Sequence, residues 1–145
     1  NLMLNVGLRP DGSLPETFRR ELLVIGDWLK SNGEAIYDTR PFRVFGEGPF
    51  QKPKSKGQFN DSEYKFVAQD IRFTQSKDAK TIYAISFGVP TEPLRIKTLG
   101  GDKISSITLL GSDAKIDWKQ EPGALVIQPV KKWPSQHAMT YKIQL

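Results

Sequence analysis

The pattern of hydrophobic and polar residues changes once along the chain and so divides it into two parts. An apolar run over 2–6 has strand length and the continuous hydrophobicity of a strand that is covered on both faces. A turn over 8–12 follows it. Apolar residues then recur at the spacing of one helical face: Phe18, Leu22, Ile25 and Leu29. The first 33 residues therefore predict one β–turn–α unit.

The ends of this predicted helix carry recognisable signals. Ser13 and Glu16 are spaced as in a capping box, and Pro15 suits the first helical turn, where its missing N–H costs nothing. At the other end, Gly33 is a candidate left-handed C-cap. We expect the helix to begin near Ser13 and to end at Gly33.

Beyond residue 33, short stretches alternate with period two or are rich in β-branched residues, and Gly, Pro, Asn and Asp separate them. We predict strands at 35–38, 43–45, 70–75, 81–87, 94–98, 106–110, 115–118, 125–128 and 139–145. Turn signals recur about every dozen residues, which is the spacing of an antiparallel sandwich. The stretch 45–66 is loop-rich, with many glycines, prolines and lysines.

One strand and one helix do not make a domain, because a strand that is apolar on both faces needs neighbours on each edge and helices above and below. We therefore expect a mainly β chain: an antiparallel β-sandwich over 39–145, preceded by a β–α unit over 1–38 that is left over from a larger α/β sheet or barrel. The orphaned strand is expected to be disordered, to pair with a second copy of the chain, or to pack on barrel remnants.

Composition excludes several kinds of chemistry. The 145 residues include no cysteine and only one histidine, His137, so thiol catalysis and zinc ribbons are excluded and a metal site is not expected. No apolar run approaches the roughly 20 residues of a membrane-spanning helix, so no membrane partner is expected. The net charge of +5 is spread along the chain rather than gathered into a stripe, which argues against a nucleic-acid partner.

Several stretches stand in a characteristic order: NLMLNVG (1–7), DG (11–12), LKSNGEAIY (29–37), RP (40–41), TIYAI (81–85), TLLG (108–111), KIDW (115–118) and MTYKI (139–143). Their order and spacing resemble the end of the catalytic barrel and the C-terminal sandwich of α-L-fucosidases of glycoside hydrolase family 29. One departure is Leu8, which stands where the family usually has a proline after the glycine.

The resemblance implies that 1–38 is the eighth β–α unit of a (β/α)8-type barrel. It also implies a retaining exo-glycosidase that releases terminal α-L-fucose from fucosylated glycans, needs no cofactor, and is secreted, periplasmic or lysosomal. Such an enzyme uses two carboxyl groups about 5 Å apart. The family's catalytic and sugar-gripping residues lie upstream, so no catalytic residue is assigned here. This chain alone is expected to be inactive, with the upstream barrel as its partner.

Two residues are candidates for contact with the sugar in such an enzyme. Asn5 and Gly7 lie at the carboxyl end of the predicted strand, and that end of a barrel faces the active site. They are candidates for the rim of the substrate pocket. The alternative is structural: Asn5 caps backbone groups at the strand end, and Gly7 allows a tight turn.

Trp28, Trp118 and Trp133 leave a second functional class open, because sugar rings stack on aromatic side chains. The alternative for each is packing in the core or at a sandwich edge. A stand-alone carbohydrate-binding or interaction β-sandwich module is therefore the main alternative to the enzyme fragment. A basic scaffold for anionic polymers is a third.

Overall fold

The computed structural model describes residues 5–50 and 65–145. Helix α1 comprises Glu16–Asn32 and continues into a 3-10 turn over Gly33–Ala35. The strands are β1 (Thr39–Glu47), β2 (Ile71–Ser76), β3 (Thr81–Ser86), β4 (Leu94–Ile96), β5 (Ser106–Leu109), β6 (Trp118–Glu121), β7 (Ala124–Ile127) and β8 (Met139–Gln144). A second 3-10 turn, Lys97–Leu99, follows β4.

The strands form two antiparallel sheets. The larger sheet has the order β1-β2-β3-β8-β5, and the smaller has the order β4-β7-β6. Side chains from both sheets share one apolar core, which includes Phe73 and Ile143 of the larger sheet and Leu94 and Leu125 of the smaller. A mainly β chain with an antiparallel sandwich and one helix is thus confirmed.

The larger sheet is covered on both faces at its centre. All residues of β3 are buried, although only alternate ones point into the sandwich core. Tyr83 and Ile85 face the other way, and together with Ala35 they form a second, smaller core beneath α1. The helix is therefore a third layer, packed on the outer face of this sheet.

Strand β1 lies at the edge of the larger sheet and is tied to the smaller sheet by charged side chains. The Glu47 carboxylate accepts hydrogen bonds from the backbone N–H groups of Lys97 (2.8 Å) and Thr98 (2.7 Å) and from the Thr98 hydroxyl. Arg43 pairs with Asp102 and also donates to the Thr98 carbonyl oxygen at 2.7 Å. These contacts fasten the end of β1 to the turn that follows β4.

Most of the predicted strands are present within one or two residues, but two are wrong. Residues 35–38 form the 3-10 turn and a reversal at Asp38, which adopts a positive φ of 59°. Residues 115–117 form no strand, because the hairpin register pairs Glu121 with Ala124 and places β6 at Trp118–Glu121. The alternation of Ile116 and Trp118 reflects packing against the core rather than strand pairing. The predicted strand 2–6 falls largely outside the described residues.

Both predicted helix caps are also wrong. Pro15 occupies the N-cap without any side-chain cap hydrogen bond, and the Ser13 N–H donates to Asp11 Oδ1 at 2.9 Å. Gly33 has a right-handed φ of −59°. A Cβ on Gly33 would lie 2.8 Å from the ring of Tyr37, so close contact, not a left-handed backbone, favours glycine there.

Candidate functional site

The N-terminal loop contains both residues predicted from sequence to line a substrate pocket. Asn5 and Gly7 are exposed, and a Cβ on Gly7 would meet no atom within 4 Å. Their role at a pocket rim stays a prediction.

The following turn is shaped by its own backbone. The Gly12 N–H donates to the Arg9 carbonyl oxygen and the Arg9 N–H to that of Ser13, both at 2.9 Å, and Gly12 has a φ of 82°. Hydrogen bonds from Ser13 lower the pKa of the Asp11 carboxyl below its usual value. This turn, which the sequence predicted, leads directly into α1.

Helix α1 has one face that packs on the sandwich and, beside it, an apolar stripe that the sandwich covers only in part. On the packed face, the indole Nε1–H of Trp28 donates to the carbonyl oxygen of Ala138 at 2.9 Å. The stripe is the one predicted from sequence, in which Leu22 and Leu29 are half-buried and Phe18 and Ile25 are 36% and 38% exposed. An amphipathic helix buries its apolar face in a domain, so a stripe left partly uncovered indicates a second partner.

The segment 32–37 (NGEAIY) anchors the end of this helix to the sheet. Asn32 is buried and donates from Nδ2 to the Trp28 carbonyl oxygen at 3.0 Å. Ala35 is fully buried, and its carbonyl oxygen accepts a 2.6 Å hydrogen bond from the hydroxyl of Thr74 on β2. The motif that carried the family resemblance thus holds the helix against the sandwich.

Glu34 provides the charged part of this anchor. Its carboxylate lies 2.9 Å from Nζ of Lys142 on β8, which stands opposite Tyr83 in the β3–β8 ladder. The hydrogen bond that Lys142 donates to the Glu34 carboxylate raises the pKa of Lys142, while burial and then the nearby Glu34 charge raise the pKa of Tyr83. These three groups form a polar contact between the helix exit and the outer face of the sheet.

A groove of about 530 Å³ remains open between α1 and the outer face of the larger sheet. Its exposed walls are almost entirely apolar, although Thr74 and His137 also line it. The lining residues include Ile25 and Trp28 from the helix, Ile36 from the helix exit, and Ile85 and Phe87 from the sheet side. We call this the helix–sheet groove.

One end of the helix–sheet groove carries a cluster of aromatic rings around Arg72. The guanidinium carbon of Arg72 lies 5.4 Å from the ring centre of Phe45 and 5.2 Å from that of Phe87, within the range of cation–π contact. Phe66 packs edge-on against Phe87 with ring centres 5.0 Å apart. Phe45 itself is 76% exposed. We call Phe45, Phe66, Arg72 and Phe87 the aromatic–arginine patch.

Neither the groove nor the patch is predicted by the sequence pattern. Phe45, Arg72 and Phe87 are far apart along the chain and meet because β1, β2 and β3 are adjacent in the sheet. An exposed phenylalanine in an edge strand was the one available signal, and alone it is common on protein surfaces.

The described carboxylates are mostly engaged in structural contacts. Glu16, Asp27, Asp38 and Glu121 are in ion pairs, like Glu34 and Asp102. Asp70 is buried and accepts from the backbone N–H groups of Phe50 and Val67. Within 5–50 and 65–145, no group of three or more histidine, cysteine, aspartate or glutamate side chains is placed to hold a metal ion.

The three tryptophans are engaged in packing. Trp28 packs partly buried against the smaller core beneath the helix, and Trp118 and Trp133 pack partly buried against the sandwich core. None of the three is therefore a fully exposed aromatic ring. Over the described ranges, no helix has both the length and the apolar character needed to cross a membrane.

A sandwich with a docked helix that keeps a partly uncovered apolar stripe is typical of an accessory domain joined to a larger body. Comparison with known families identifies that body. The chain belongs to the α-L-fucosidase family: the profile described as the α-L-fucosidase C-terminal domain matches residues 64–144, more than half of the chain. The profile described as α-L-fucosidase matches residues 1–34.

Individual relatives agree with this assignment. The tissue α-L-fucosidase of Mus musculus is 31% identical over 132 residues, which cover 89% of this chain and 25% of that protein. The plasma α-L-fucosidase of Homo sapiens is 30% identical over 122 residues, covering 81% of this chain and 22% of that protein. The chain thus spans about a quarter of the length of the curated relatives it matches.

Solved structures share the fold. An α-L-fucosynthase from Thermotoga maritima superposes with a TM-score of 0.73 at 25% identity, covering 99% of this chain and 29% of that chain. The α-L-fucosidase isoenzyme 1 from Paenibacillus thiaminolyticus superposes with a TM-score of 0.71 at 21% identity, covering 100% of this chain and 30% of that chain. At this lower identity the likeness concerns the fold alone.

Proposed function

We propose that this chain is the C-terminal portion of a retaining α-L-fucosidase, which hydrolyses terminal α-L-fucose from fucosylated glycans. Residues 1–38 complete the catalytic barrel, and residues 39–145 form a sandwich that stabilises it. The observation that carries this proposal is the apolar stripe on α1 that the sandwich covers only in part. One face is anchored to the sandwich through Trp28, and the stripe containing Phe18 and Leu22 is proposed to pack against the barrel.

The chemistry is proposed to lie in the part of the polypeptide that precedes this chain. A retaining glycosidase needs one carboxylate as nucleophile and one carboxylic acid as proton donor, about 5 Å apart. The carboxylates of Glu34, Glu47 and Asp70 instead serve the anchor, the β1 clamp and a buried loop. These three carboxylates therefore stabilise the fold, and we assign none of them a catalytic role.

Asn5 and Gly7 are proposed to lie at the rim of the substrate pocket. The eighth strand of such a barrel would end at this point, and the carboxyl ends of barrel strands face the active site. Replacing Asn5 by Ala in the full-length enzyme should then raise KM several-fold through a lost hydrogen bond to the sugar, with thermal unfolding unchanged. An unchanged KM, or a lower unfolding temperature, would instead indicate the structural role of Asn5.

The proposed activity is tested with the full-length protein that contains this chain. We expect it to release the phenol from an aryl α-L-fucoside, and we expect the 145 residues alone to release none. Proton NMR of the first product should show α-fucose before mutarotation, because a retaining reaction preserves the anomeric configuration.

Two results would overturn the proposal. Release of fucose by the 145 residues alone would place the catalytic groups within this chain. An inactive full-length protein that binds fucosylated glycans on an array would favour a carbohydrate-binding module. β-Fucose as the first product would overturn only the retaining mechanism.

A further inference from the structure

The helix–sheet groove separates two parts of the chain that belong to two different sequence profiles. One wall is α1, which lies within the residues matched by the α-L-fucosidase profile, 1–34. The other wall is the larger sheet, most of which lies within the residues matched by the C-terminal-domain profile, 64–144. The groove is therefore a crevice at the junction of the two domains.

The residues that line the groove indicate what kind of ligand it can bind. Their exposed surface is almost wholly apolar, and Val24, Ile25 and Ile36 on the helix side are all well exposed. Leaving such a continuous apolar surface in water is unfavourable in proportion to its area. The groove thus fits an apolar segment of polypeptide rather than a polar ligand.

Arg72 places a positive charge on this surface, which favours a negatively charged group on whatever covers it. Its side chain lines the groove, is only half-exposed, and lies against the rings of Phe45 and Phe87. It donates to the backbone carbonyl oxygen of Ile71 at 3.0 Å. Within the described ranges, none of the ion pairs includes it. A guanidinium held in an apolar wall favours a carboxylate on the segment that covers it.

The greater length of the relatives indicates where this segment comes from. Relatives are three to four times as long as this chain, and the profile over the sandwich is that of a C-terminal domain. The helix stripe of Phe18, Leu22, Ile25 and Leu29 meets the groove at Ile25, so one body can cover both surfaces. An upstream segment of the same polypeptide is favoured over a second copy, because it is covalently joined to the helix.

We propose that an apolar segment of the upstream barrel fills the helix–sheet groove and places a carboxylate against Arg72. This rests on the proposed function and adds the identity of the docking surface and the chemistry of its occupant. Arg72 sets the position of the segment, and Phe45 and Phe87 hold the guanidinium in place. The sandwich is thereby fixed against the barrel at a second place besides α1.

The docking is tested by photo-crosslinking in the full-length protein. p-Benzoylphenylalanine is placed at Phe87, and in a second variant at Phe45, where high exposure makes misfolding less of a concern. The matched control carries it at Lys119, an exposed residue of β6 in the other sheet. Both patch variants should give at least tenfold more intramolecular crosslinks than the control, to one peptide that precedes Asn1.

Other crosslinking results would overturn the docking proposal. Crosslinks between two copies would assign the groove to a dimer interface. Yields equal to those of the Lys119 control in both patch variants would show that nothing covers the groove. Fucosidase activity of the wild-type protein is measured in parallel. An inactive wild type beside crosslinked patch variants would refute the proposed function while leaving the docking surface standing.

The charge requirement has its own experiment. We expect Arg72→Glu in the full-length protein to lower Tm by several degrees, and more than Arg72→Gln does. Reversing the charge of one aspartate or glutamate in the crosslinked peptide should restore at least half of that loss. If no reversal in that peptide restores Tm, the carboxylate partner is refuted.

Discussion

The indole N–H of Trp28 donates to the carbonyl oxygen of Ala138, 110 residues further along the chain, at 2.9 Å. This contact joins the C-terminal half of α1 to the residue just before β8, an interior strand of the larger sheet. It is the longest-range side-chain link between the helix and the sandwich in the described ranges. The stability of the helix position can therefore be tested at Trp28.

We expect Trp28→Phe to lower the free energy of unfolding by about 1–3 kcal/mol, because the half-buried Ala138 carbonyl oxygen loses its donor and the smaller ring leaves a gap. Urea denaturation followed by circular dichroism measures the change. Trp133→Phe is the matched control, since the described residues offer its indole N–H no acceptor. Equal losses in the two variants would show that the hydrogen bond contributes nothing.

Two adjacent glycines provide a second test with an internal control. A Cβ on Gly100 would lie 2.3 Å from the backbone carbon of Gly123, whereas a Cβ on Gly101 would meet no atom within 4 Å. Gly100→Ala should therefore cost about 1–3 kcal/mol in unfolding free energy, as overpacking does, and Gly101→Ala should be nearly neutral. Thermal unfolding of both variants decides the question, and similar Tm values for the two would contradict the close approach at Gly100.

The ion pair between Glu34 and Lys142 predicts a dependence of stability on alkaline pH. The folded pKa of Lys142 lies above its ordinary value of 10.5, chiefly because of the hydrogen bond to Glu34. The pair therefore stabilises the protein fully below pH 10.5 and loses this contribution as pH rises through the folded pKa. Both side chains are partly solvated, so the contribution is at most about 1 kcal/mol.

Urea denaturation between pH 7 and 11 should show wild type more stable than Glu34→Gln at neutral pH. The two should converge at the alkaline end. The exposed pair Lys30–Asp27 offers a control in Asp27→Asn, which should change unfolding by only a few tenths of a kcal/mol. A difference between wild type and Glu34→Gln that stays constant to pH 11 would contradict the role of Lys142.

The Glu47 clamp predicts a loss of stability when its acceptors are removed. Glu47→Ala leaves the backbone N–H groups of Lys97 and Thr98 without their carboxylate, at a cost of about 1–3 kcal/mol. Glu47→Gln retains one oxygen and should cost less. Chemical denaturation compares both with Glu92→Ala, an exposed change without a described partner. A Glu47→Ala variant as stable as Glu92→Ala would show that the clamp is dispensable.

Much of the local structure was predictable from residue patterns. The stripe from Phe18 to Leu29 predicted α1, and the alternation over 139–145 predicted β8, because these periods follow from backbone geometry. The two wrong strands failed for a different reason. At 35–38 the hydrogen bond from Thr74 to Ala35 favours a turn, and at 115–118 the β6–β7 register decides which residues pair.

The candidate site also combines a local motif, which was predictable, with contacts between distant residues, which were not. The family resemblance rested on local stretches such as NGEAIY at 32–37, and local order is what a sequence displays directly. The role of that stretch as an anchor depended on Thr74 and Lys142, which neighbour it only after the sheet has formed.

The periodicity of side chains along the chain predicted a helix and a set of strands, and the order of short stretches such as NGEAIY indicated the family. Neither could establish that Arg72 lies between Phe45 and Phe87, or that α1 keeps an apolar stripe partly uncovered. Those relationships depend on strand order and on the angle at which the helix packs. Both arise from contacts between residues distant in sequence, which no local pattern encodes.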